Sequence, residues 1–149
     1  MNKTTILKSI CPTSLKTESF TDPIGIDTPS PCFQWKLISS HPDTYQSAYR
    51  IMVTDEQHKT VWDSGKVVSN RQLQIQYEGT PLQSISRYCW RVMVWDHTGK
   101  SSSWSEKAYF ETGFLKSSDW TGKWIGGTGT CNPLEGLYWI TASSGPCET

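Results

Sequence analysis

The amino-acid sequence predicts an all-β fold, either a sandwich or a barrel, with about seven strands between Ser14 and Gly113. Three observations support this prediction. Apolar and polar residues alternate in short runs, turn residues separate the runs about every ten positions, and no strong helix signal interrupts them. Because side chains alternate along a strand, each run has one face toward the core and one face outward.

The predicted elements follow in chain order from these signals. Ser14 to Phe20 is the predicted opening strand, and the connection from Pro23 to Pro31 is rich in proline, as expected at a sheet edge. Turn residues such as Asp96–Lys100 separate the later strands. Those strands are predicted from these alternating apolar residues: Phe33, Trp35 and Leu37; Tyr49, Ile51 and Val53; Leu73, Ile75 and Tyr77; Tyr88, Trp90, Val92 and Val94; Ala108, Phe110 and Thr112.

The stretch ISRYCWRVMVWD, from Ile85 to Asp96, is predicted to be a long central strand. The alternating set that begins with Tyr88 is expected to face the core, and the set that contains Arg91 is expected to face outward. Eight tryptophans among 149 residues fit a dense core, an interface or a sugar-stacking face. The predicted structural core consists of Trp35, Tyr49, Leu82, Tyr88, Trp90, Val92 and Phe110.

Composition and charge exclude several classes of protein. The chain has 14 basic and 14 acidic residues, so its formal net charge of zero predicts no nucleic-acid partner. No apolar run approaches the roughly 20 residues of a membrane helix, so no membrane partner is predicted. The first ten residues contain no apolar signal-peptide core, and localisation stays unknown. No Cys-x-x-Cys pair occurs, so disulfide pairing stays open for Cys11, Cys32, Cys89, Cys131 and Cys147.

Outward-facing residues supply candidates for an interaction surface. Arg50, Arg91 and Trp104 lie on predicted neighbouring segments, where guanidinium groups stacked on an indole would reinforce the sheet face. The sequence SSSWS at Ser101–Ser105 resembles the W-S-x-W-S box of cytokine receptors, in which an arginine–tryptophan ladder forms, but it contains one tryptophan only. Three indoles are candidates for sugar stacking: Trp62, Trp95 and Trp104.

A second group of aromatic residues lies beyond the last predicted strand. In the sequence DWTGKWIG, Trp120, Trp124 and Ile125 are candidates for an interdomain contact. A contiguous apolar patch of this kind commonly marks an interface. We therefore expect the two indoles to fold back on the sandwich or to be buried against another copy of the chain.

The second half of the predicted sandwich resembles a fibronectin type III module. Leu82 and Tyr88 resemble its tyrosine corner, in which the phenol bonds a nearby backbone group and pins the crossing between sheets. Trp35 resembles the core tryptophan of that module. The resemblance implies a seven-stranded immunoglobulin-like or fibronectin type III β-sandwich, followed here by an irregular C-terminal extension.

Several motifs in a fixed order narrow this resemblance. Together they strongly resemble the N-terminal end of bacterial α-L-rhamnosidases, which are large multidomain glycoside hydrolases that remove rhamnose from plant glycosides and polysaccharides. The resemblance covers the chain from Ile10 to Gly126. Its motifs are DPIGIDTPSPCFQWKL (Asp22–Leu37), QSAYRIMV (Gln46–Val53), VWDSGKV (Val61–Val67), YCWRVMVWDHTGKSSSWSE (Tyr88–Glu106) and DWTGKWIG (Asp119–Gly126).

This resemblance implies a noncatalytic accessory domain that fixes the orientation of its neighbours, in a parent enzyme whose acid and base come from a distant (α/α) barrel. It implies a sandwich at 10–113, a linker toward a missing next domain at 114–126, and an irregular tail or truncated stub at 127–149. The implied partners are the other domains of the parent, with a second copy of the chain, through Trp120 and Trp124, as the other candidate. The parent is expected to be periplasmic or secreted.

The residues themselves predict no catalytic, cofactor-binding or metal-binding site. Glycoside hydrolysis normally needs two facing carboxylates about 5–9.5 Å apart. Asp27 and Asp63 instead lie beside turn residues, where Asp usually accepts hydrogen bonds from the local backbone. His41, His58 and His97 fall in predicted turns without cysteines or histidines at metal-ligand spacing. The chain also has no nucleophile-elbow sequence and no phosphate-binding glycine motif.

Two other functions stay open at this stage. A carbohydrate-binding module would need two or more coplanar, exposed tryptophans on one face at the spacing of sugar rings. A free-standing protein-interaction module would need the sequence after Gly126 to be a genuine chain end. An enzyme confined to these 149 residues is the least favoured reading.

Overall fold

The computed structural model describes residues 10–122, which form two antiparallel β-sheets packed face to face around one apolar core. This architecture confirms the predicted all-β sandwich. In the described part of the chain the elements are β1 (Cys11–Thr17), β2 (Cys32–Ile38), β3 (Gln46–Thr54), β4 (Thr60–Asp63), β5 (Val67–Val68), β6 (Ile75–Gln76), β7 (Arg87–Asp96), β8 (Ala108–Glu111) and a short 3-10 helix (Ser117–Asp119).

The two sheets differ in size. One has the strand order β1-β2-β6, and the other has the order β4-β3-β7-β8 with β5 also paired to β3. The longest pairing joins β3 and β7, from Gln46 opposite Asp96 to Thr54 opposite Cys89. The strand count is close to the predicted seven, because β5 and β6 have only two residues each. The long central strand predicted around Trp90 is β7, which lies between β3 and β8.

The opening strand lies earlier than predicted. It covers Cys11–Thr17 rather than Ser14–Phe20, because Glu18 and Ser19 both have positive φ angles and form a tight turn. Across this turn the backbone groups of Thr17 and Phe20 bond each other at 2.9 Å. Phe20 is therefore outside the strand and largely exposed.

The prediction for Leu73 is wrong. Leu73 was expected to share a core-facing set with Ile75 and Tyr77, but it is exposed, whereas Ile75 and Tyr77 are buried. The reason is the left-handed backbone at Gln74, whose φ is 52°. A residue with this conformation interrupts the alternation of an extended strand, so the side chain before it no longer follows the period of two.

The core is dense in aromatic rings. Phe33 is fully buried and lies near the ring centroids of Trp90 at 4.5 Å and of Phe110 at 5.8 Å. On the other side of the core, Trp35 meets Tyr49 edge-on at 5.4 Å. The residues assigned to the core from the sequence are all buried in one cluster: Trp35, Tyr49, Leu82, Tyr88, Trp90, Val92 and Phe110.

Two buried indole N–H groups find their acceptors on the opposite sheet. Trp35 of β2 donates to Gln46 Oε1 of β3 at 3.1 Å, and Trp90 of β7 donates to Thr17 Oγ1 of β1 at 3.0 Å. Gln46 is itself buried, and its amide donates to the carbonyls of Ser69 and Arg71. Because a buried polar group without a partner is costly, these bonds fix how the two sheets are placed on each other.

The crossing before β7 has the geometry of a tyrosine corner. The Tyr88 hydroxyl accepts a hydrogen bond from the backbone N–H of Gln83 at 2.9 Å, and Leu82 is buried beside it. The Thr112 hydroxyl donates to the Gln83 carbonyl at 2.6 Å and accepts from the N–H of Ser86 at 3.0 Å. The loop before β7 is thus bonded both to β7 and to the end of β8.

The proline-rich connection covers the edge of β8. Ile26 N–H donates to the Glu111 carbonyl and Glu111 N–H donates to the Pro23 carbonyl, both at 2.9 Å. Asp22 accepts a further bond from the N–H of Tyr109 at 2.8 Å. An edge strand covered in this way no longer offers a free row of backbone groups for pairing with another chain.

We expect Gln46→Ala to destabilise the sandwich by about 3 kcal/mol, because it leaves the Trp35 N–H and two loop carbonyls without partners in the core. The measurement is the urea dependence of unfolding. The matched control is Gln76→Ala, an exposed glutamine of β6, whose effect should stay within about 0.5 kcal/mol. Equal effects of the two substitutions would contradict the structural role assigned to Gln46.

Candidate functional site

No metal centre is assembled in the described part of the chain. Within residues 10–122, no group of three or more His, Cys, Asp and Glu side chains is placed to hold a metal ion. The same part of the chain has no helix with the length and hydropathy needed to cross a membrane.

The turn aspartates bond the backbone of their own turns. Asp55 Oδ1 accepts the N–H groups of Gln57 at 3.0 Å and Lys59 at 2.9 Å. Asp96 Oδ1 accepts the N–H groups of Thr98 and Lys100 in the same manner. Such carboxylates are occupied in closing turns, and this is the role that their sequence positions predict.

The outer face of the larger sheet carries a stack of cations on an indole. The Arg91 guanidinium lies 4.6 Å from the centroid of the Trp104 ring, and the Arg50 guanidinium lies 5.9 Å from it. Arg50 also makes a two-pronged contact with Asp63, with Nε–Oδ1 at 2.9 Å and Nη2–Oδ2 at 2.6 Å. The structure thus brings together the three residues Arg50, Arg91 and Trp104, and it adds Asp63 to them.

Two serines place Trp104 over this face. Ser102 N–H donates to the Val94 carbonyl at 2.8 Å, and the Val94 N–H donates back to Ser102 Oγ at 3.1 Å. Ser105 repeats the same pair of bonds with Val92 at 2.8 and 3.0 Å. Sequence reasoning placed Trp104 beside Arg50 and Arg91 but did not predict these serine bonds. The spacing of three residues between Ser102 and Ser105 was the available signal for them.

The tryptophans proposed for sugar stacking are all engaged within the domain. Lys66 Nζ lies 4.7 Å from the Trp95 ring centroid, and Trp104 carries the Arg91 guanidinium. Trp62 packs against the core, with its ring 6.0 Å from that of Phe33. Sugar rings stack on free aromatic faces, so this arrangement does not favour a row of indoles as a binding platform.

The charges on this face lower the pKa of one carboxyl group, that of Asp63. The hydrogen bond from Arg50 holds the pKa of Asp63 below its usual value, and the N–H of Gly65 adds to this effect. Both charged side chains remain about one third exposed, so solvent screens the pair. The pair therefore orients Arg50 beneath Trp104 more than it stabilises the fold.

The cysteines of the described residues are free thiols rather than disulfides. Burial is the main cause that raises the pKa of Cys89, and burial followed by the charge of Glu18 raises that of Cys32. Thiols with raised pKa values are protonated at neutral pH and are weak nucleophiles. Cys131 and Cys147 lie outside the described residues.

An apolar patch lies where the described chain leaves the sandwich. We call it the exit patch, and it consists of Ile85, Phe114 and Trp120, which are 69%, 42% and 56% exposed. The Phe114 and Trp120 rings meet edge-on with centroids 5.5 Å apart. Of the interdomain candidates, Trp120 belongs to this patch, whereas Trp124 and Ile125 lie outside the described residues.

Hydrogen bonds attach the exit patch to the domain. Ile85 N–H donates to the Gly113 carbonyl at 3.1 Å, and Leu115 N–H donates to Ser84 Oγ at 2.8 Å. Ser84 Oγ also donates to Asp119. Sequence reasoning missed Phe114 because it lies just beyond the last predicted strand. It assigned Ile85 to the start of the predicted central strand, whereas β7 begins at Arg87. The available sequence signal was one apolar residue before β7, Ile85, and one after β8, Phe114.

The predicted division after the sandwich is described only in part. Residues 114–122 of the predicted linker contain the 3-10 helix at Ser117–Asp119. The rest of that linker and the predicted tail at 127–149 lie outside the described residues.

Comparison with known proteins gives a consistent result. The family model for the N-terminal immunoglobulin domain of Rha78A-like proteins matches residues 12–116. The α-L-rhamnosidase of Streptomyces avermitilis is 38% identical over 150 residues, which cover 92% of this chain and 15% of the relative. An α-L-rhamnosidase of Formosa agariphila is 41% identical over 111 residues, which cover 70% of this chain and 12% of the relative.

Solved structures show the same relationship. The crystal structure of the Streptomyces avermitilis α-L-rhamnosidase complexed with L-rhamnose matches with a TM-score of 0.74 and 40% identity, over 78% of this chain and 12% of that one. The α-L-rhamnosidase from Dictyoglumus thermophilum matches with a TM-score of 0.73 and 37% identity, over 78% and 14%. The chain thus spans about one seventh or less of the length of these relatives.

We expect Arg91 and Trp104 to be energetically coupled by about 1 kcal/mol, because the guanidinium lies directly over the indole. The measurement is a double-mutant cycle of Arg91→Ala and Trp104→Ala in urea unfolding. Lys36→Ala, an exposed cation on the smaller sheet, combined with Trp104→Ala is the control pair. A coupling below about 0.3 kcal/mol, no larger than that of the control, would contradict the stack.

The Arg50–Asp63 pair predicts a small pH dependence of stability. Because the pKa of Asp63 is lower in the folded than in the unfolded chain, the pair stabilises the fold above the unfolded pKa of about 3.9 and loses this effect as the pH falls through the lower, folded pKa. The difference in unfolding free energy between the wild type and Asp63→Asn should therefore shrink on acidification below about pH 4. A difference that grows in acid has the wrong sign for this assignment.

Proposed function

Because the chain belongs to the family of Rha78A-like N-terminal immunoglobulin domains, we propose that it serves as an accessory domain of an α-L-rhamnosidase and contributes architecture rather than catalysis. In this proposal the whole enzyme would hydrolyse terminal α-L-rhamnose from plant glycosides or polysaccharides. Its catalytic acid and base would come from parts of the enzyme other than this domain. The relatives that carry the α-L-rhamnosidase name extend far beyond the matched segment, which supports this division of labour.

The observation that carries the proposal is the exit patch. Phe114 and Trp120 contact each other and are exposed, and the exposed Ile85 is bonded through its backbone to Gly113, the residue before Phe114. Large apolar side chains in contact are usually covered. The patch lies where the described chain leaves the sandwich, so a domain that follows in the chain would meet it first. A contact at this position would fix the angle between the two domains.

The course of the chain supports the same role. The first residue of β1, Cys11, pairs with Ile38 of β2. This pair lies toward the end of the sandwich where Gln46 of β3 pairs with Asp96 of β7. The chain leaves from the opposite end, after Thr112. A domain that follows in the chain would therefore lie at the end opposite to Cys11.

The outer face of the larger sheet supports a structural rather than a ligand-binding role. Arg50, Arg91 and Trp104 are engaged with one another, and two serines bond Trp104's segment to β7. A face that is covered by its own side chains is reinforced against unfolding but offers little free aromatic surface. The partners that we propose are therefore the other domains of the enzyme.

An isolated domain with this role should neither bind nor cleave rhamnosides. We expect isothermal titration with L-rhamnose to give no heat up to millimolar concentration, and we expect no release of the phenol from an aryl α-L-rhamnoside. Unfolding in urea on the same sample shows that the domain is folded. Millimolar binding that Trp62→Ala or Trp104→Ala abolishes would replace the proposal with a carbohydrate-binding module.

The architectural role can be tested in the Streptomyces avermitilis relative. Three proteins are compared: the intact enzyme, the enzyme without its matched segment, and a chimera that carries residues 10–122 of this chain in its place. We expect the deletion to lower the thermal midpoint and the chimera to restore it, with KM for a small aryl rhamnoside the same in all active forms.

One outcome of this comparison would contradict the architectural proposal. A deletion that keeps its thermal midpoint but raises KM would show that the segment acts on substrate. If the deletion does not fold, the chimera still tests the proposal, because an accessory domain of the same architecture should support both the folding and the activity of the rest of the enzyme.

A further inference from the structure

A groove that contains two cations lies on the outer face of the larger sheet, beside the part of that face that Trp104 covers. Its volume is about 380 Å³, which is within the range of small-molecule sites. None of the side chains that line this groove is acidic. The lining residues on which the inference depends are Thr54, His58, Thr60, Cys89, Arg91 and Lys107.

The strand register explains why these residues share one groove. Thr54 of β3 lies opposite Cys89 of β7 and opposite Thr60 of β4. Arg91 extends from the same face as Cys89, because side chains alternate along a strand and the two residues are two positions apart. Lys107 directly precedes β8, the strand beside β7. Burial raises the pKa of the Cys89 thiol, whereas the charges of Lys107 and Arg91 act in the opposite direction, as expected of cations close to it.

The two cations lack strong acceptors. Neither Arg91 nor Lys107 forms an ion pair within residues 10–122. The Arg91 guanidinium donates from Nη2 to the Sδ atom of Met52 at 3.6 Å, and a thioether sulfur is a weak acceptor. The Trp104 ring contacts the same guanidinium without carrying a negative charge. A ligand that brings a negatively charged oxygen would therefore replace a weak contact with a strong one.

The carboxylates of the neighbouring cavity are engaged with the backbone. Asp55 Oδ1 accepts two N–H groups of its own turn, and Glu56 Oε1 accepts the N–H of Arg87 at 3.1 Å. Both acids line a cavity that shares Cys89 and Lys107 with the groove. Their negative charges repel an anion in the groove, and this repulsion doubles for a ligand with two charges. The surroundings thus favour a ligand with a single negative charge.

We propose that this groove binds the carboxylate of a small sugar acid. The guanidinium and the ammonium group suit a carboxylate, because hydrogen bonds between oppositely charged groups are stronger than those between neutral groups. The hydroxyls of Thr54 and Thr60 and the imidazole of His58 offer hydrogen-bonding groups to the hydroxyls of the ligand. The inference goes beyond the proposed architectural function and does not depend on it.

Isothermal titration of the full chain with a matched pair of sugars tests the proposal. D-glucuronate and D-glucose have the same ring, and they differ in that the first carries a carboxylate where the second carries a hydroxymethyl group. We expect D-glucuronate to bind with a Kd of about 1 mM at low salt and D-glucose to bind at least about tenfold more weakly. Inorganic phosphate tests the doubly charged alternative and should bind more weakly than D-glucuronate.

Substitutions separate the contributions of the two cations. Lys107→Gln removes a charge from an exposed side chain and should weaken D-glucuronate binding about fivefold. Arg91→Lys keeps the charge but removes the guanidinium fork, and it should weaken binding about threefold. The matched control is Lys36→Gln, which removes an exposed cation from the smaller sheet and should leave the Kd unchanged. Urea unfolding shows that each variant is folded.

The Cys89 thiol gives a measurement that needs no substitution. Because this thiol lines the groove, bound D-glucuronate should slow its alkylation by iodoacetamide, whereas the exposed Cys11 should react at an unchanged rate. At about ten times the Kd, mass action leaves about one tenth of the grooves free, so alkylation of Cys89 should be about tenfold slower. Mass spectrometry of the two cysteine peptides measures both rates in one sample, and D-glucose should give no protection.

Four results would overturn the inference. They are equal binding of D-glucose and D-glucuronate, tighter binding of phosphate than of D-glucuronate, an equal loss of binding in Lys36→Gln and Lys107→Gln, and unchanged alkylation of Cys89 at high D-glucuronate. None of these results bears on the chimera, which reports on whether the domain supports an α-L-rhamnosidase. Failure of this site and failure of the proposed function are therefore distinguishable.

Discussion

The structure depends on two buried indoles that each donate a hydrogen bond to the opposite sheet. Trp35 reaches from the smaller sheet to Gln46, and Trp90 reaches from the larger sheet to Thr17. Neither N–H has access to water, so each sheet must offer its acceptor at one position. Apolar burial alone would tolerate some sliding of one sheet over the other, whereas this reciprocal pair tolerates little. Gln46 extends the constraint to the loop at Ser69–Arg71.

The outer surface follows from this placement of the core. Once Trp90 faces inward, the period of two makes Arg91 face outward beside its neighbours on β3. The aromatic ring over the guanidinium groups is that of Trp104. Ser102 and Ser105 hold its segment there, because each bonds β7 through both its backbone and its side chain. The same rule that buries one tryptophan therefore builds a reinforced, self-covered face on the other side of the sheet.

Around Trp95 and Trp104 the outer face of the larger sheet is covered by its own side chains, whereas the exit patch is open to solvent. This contrast supports the role of an accessory domain. On the sheet face, Lys66, Arg50 and Arg91 cover the outward indoles of Trp95 and Trp104. At the exit end, Phe114 and Trp120 contact each other but remain open to solvent. A domain with a closed face and an open end is suited to holding a neighbour at a fixed angle, as expected of an accessory domain in a large enzyme.

The sequence by itself determined the elements that depend on local alternation, and the tertiary structure decided those that depend on a change of backbone direction or on distant partners. The burial of Trp35, Tyr88 and Trp90 could be read from periods of two and from the spacing of Leu82 and Tyr88, because these signals lie within one strand or one crossing. The early end of β1 and the exposure of Leu73 could not, because positive φ angles at Glu18, Ser19 and Gln74 leave no clear trace in composition. The serine bonds that hold the Trp104 segment and the hydrogen bond between Ile85 and Gly113 join residues that are distant in the sequence, and only the packed sheets bring them together.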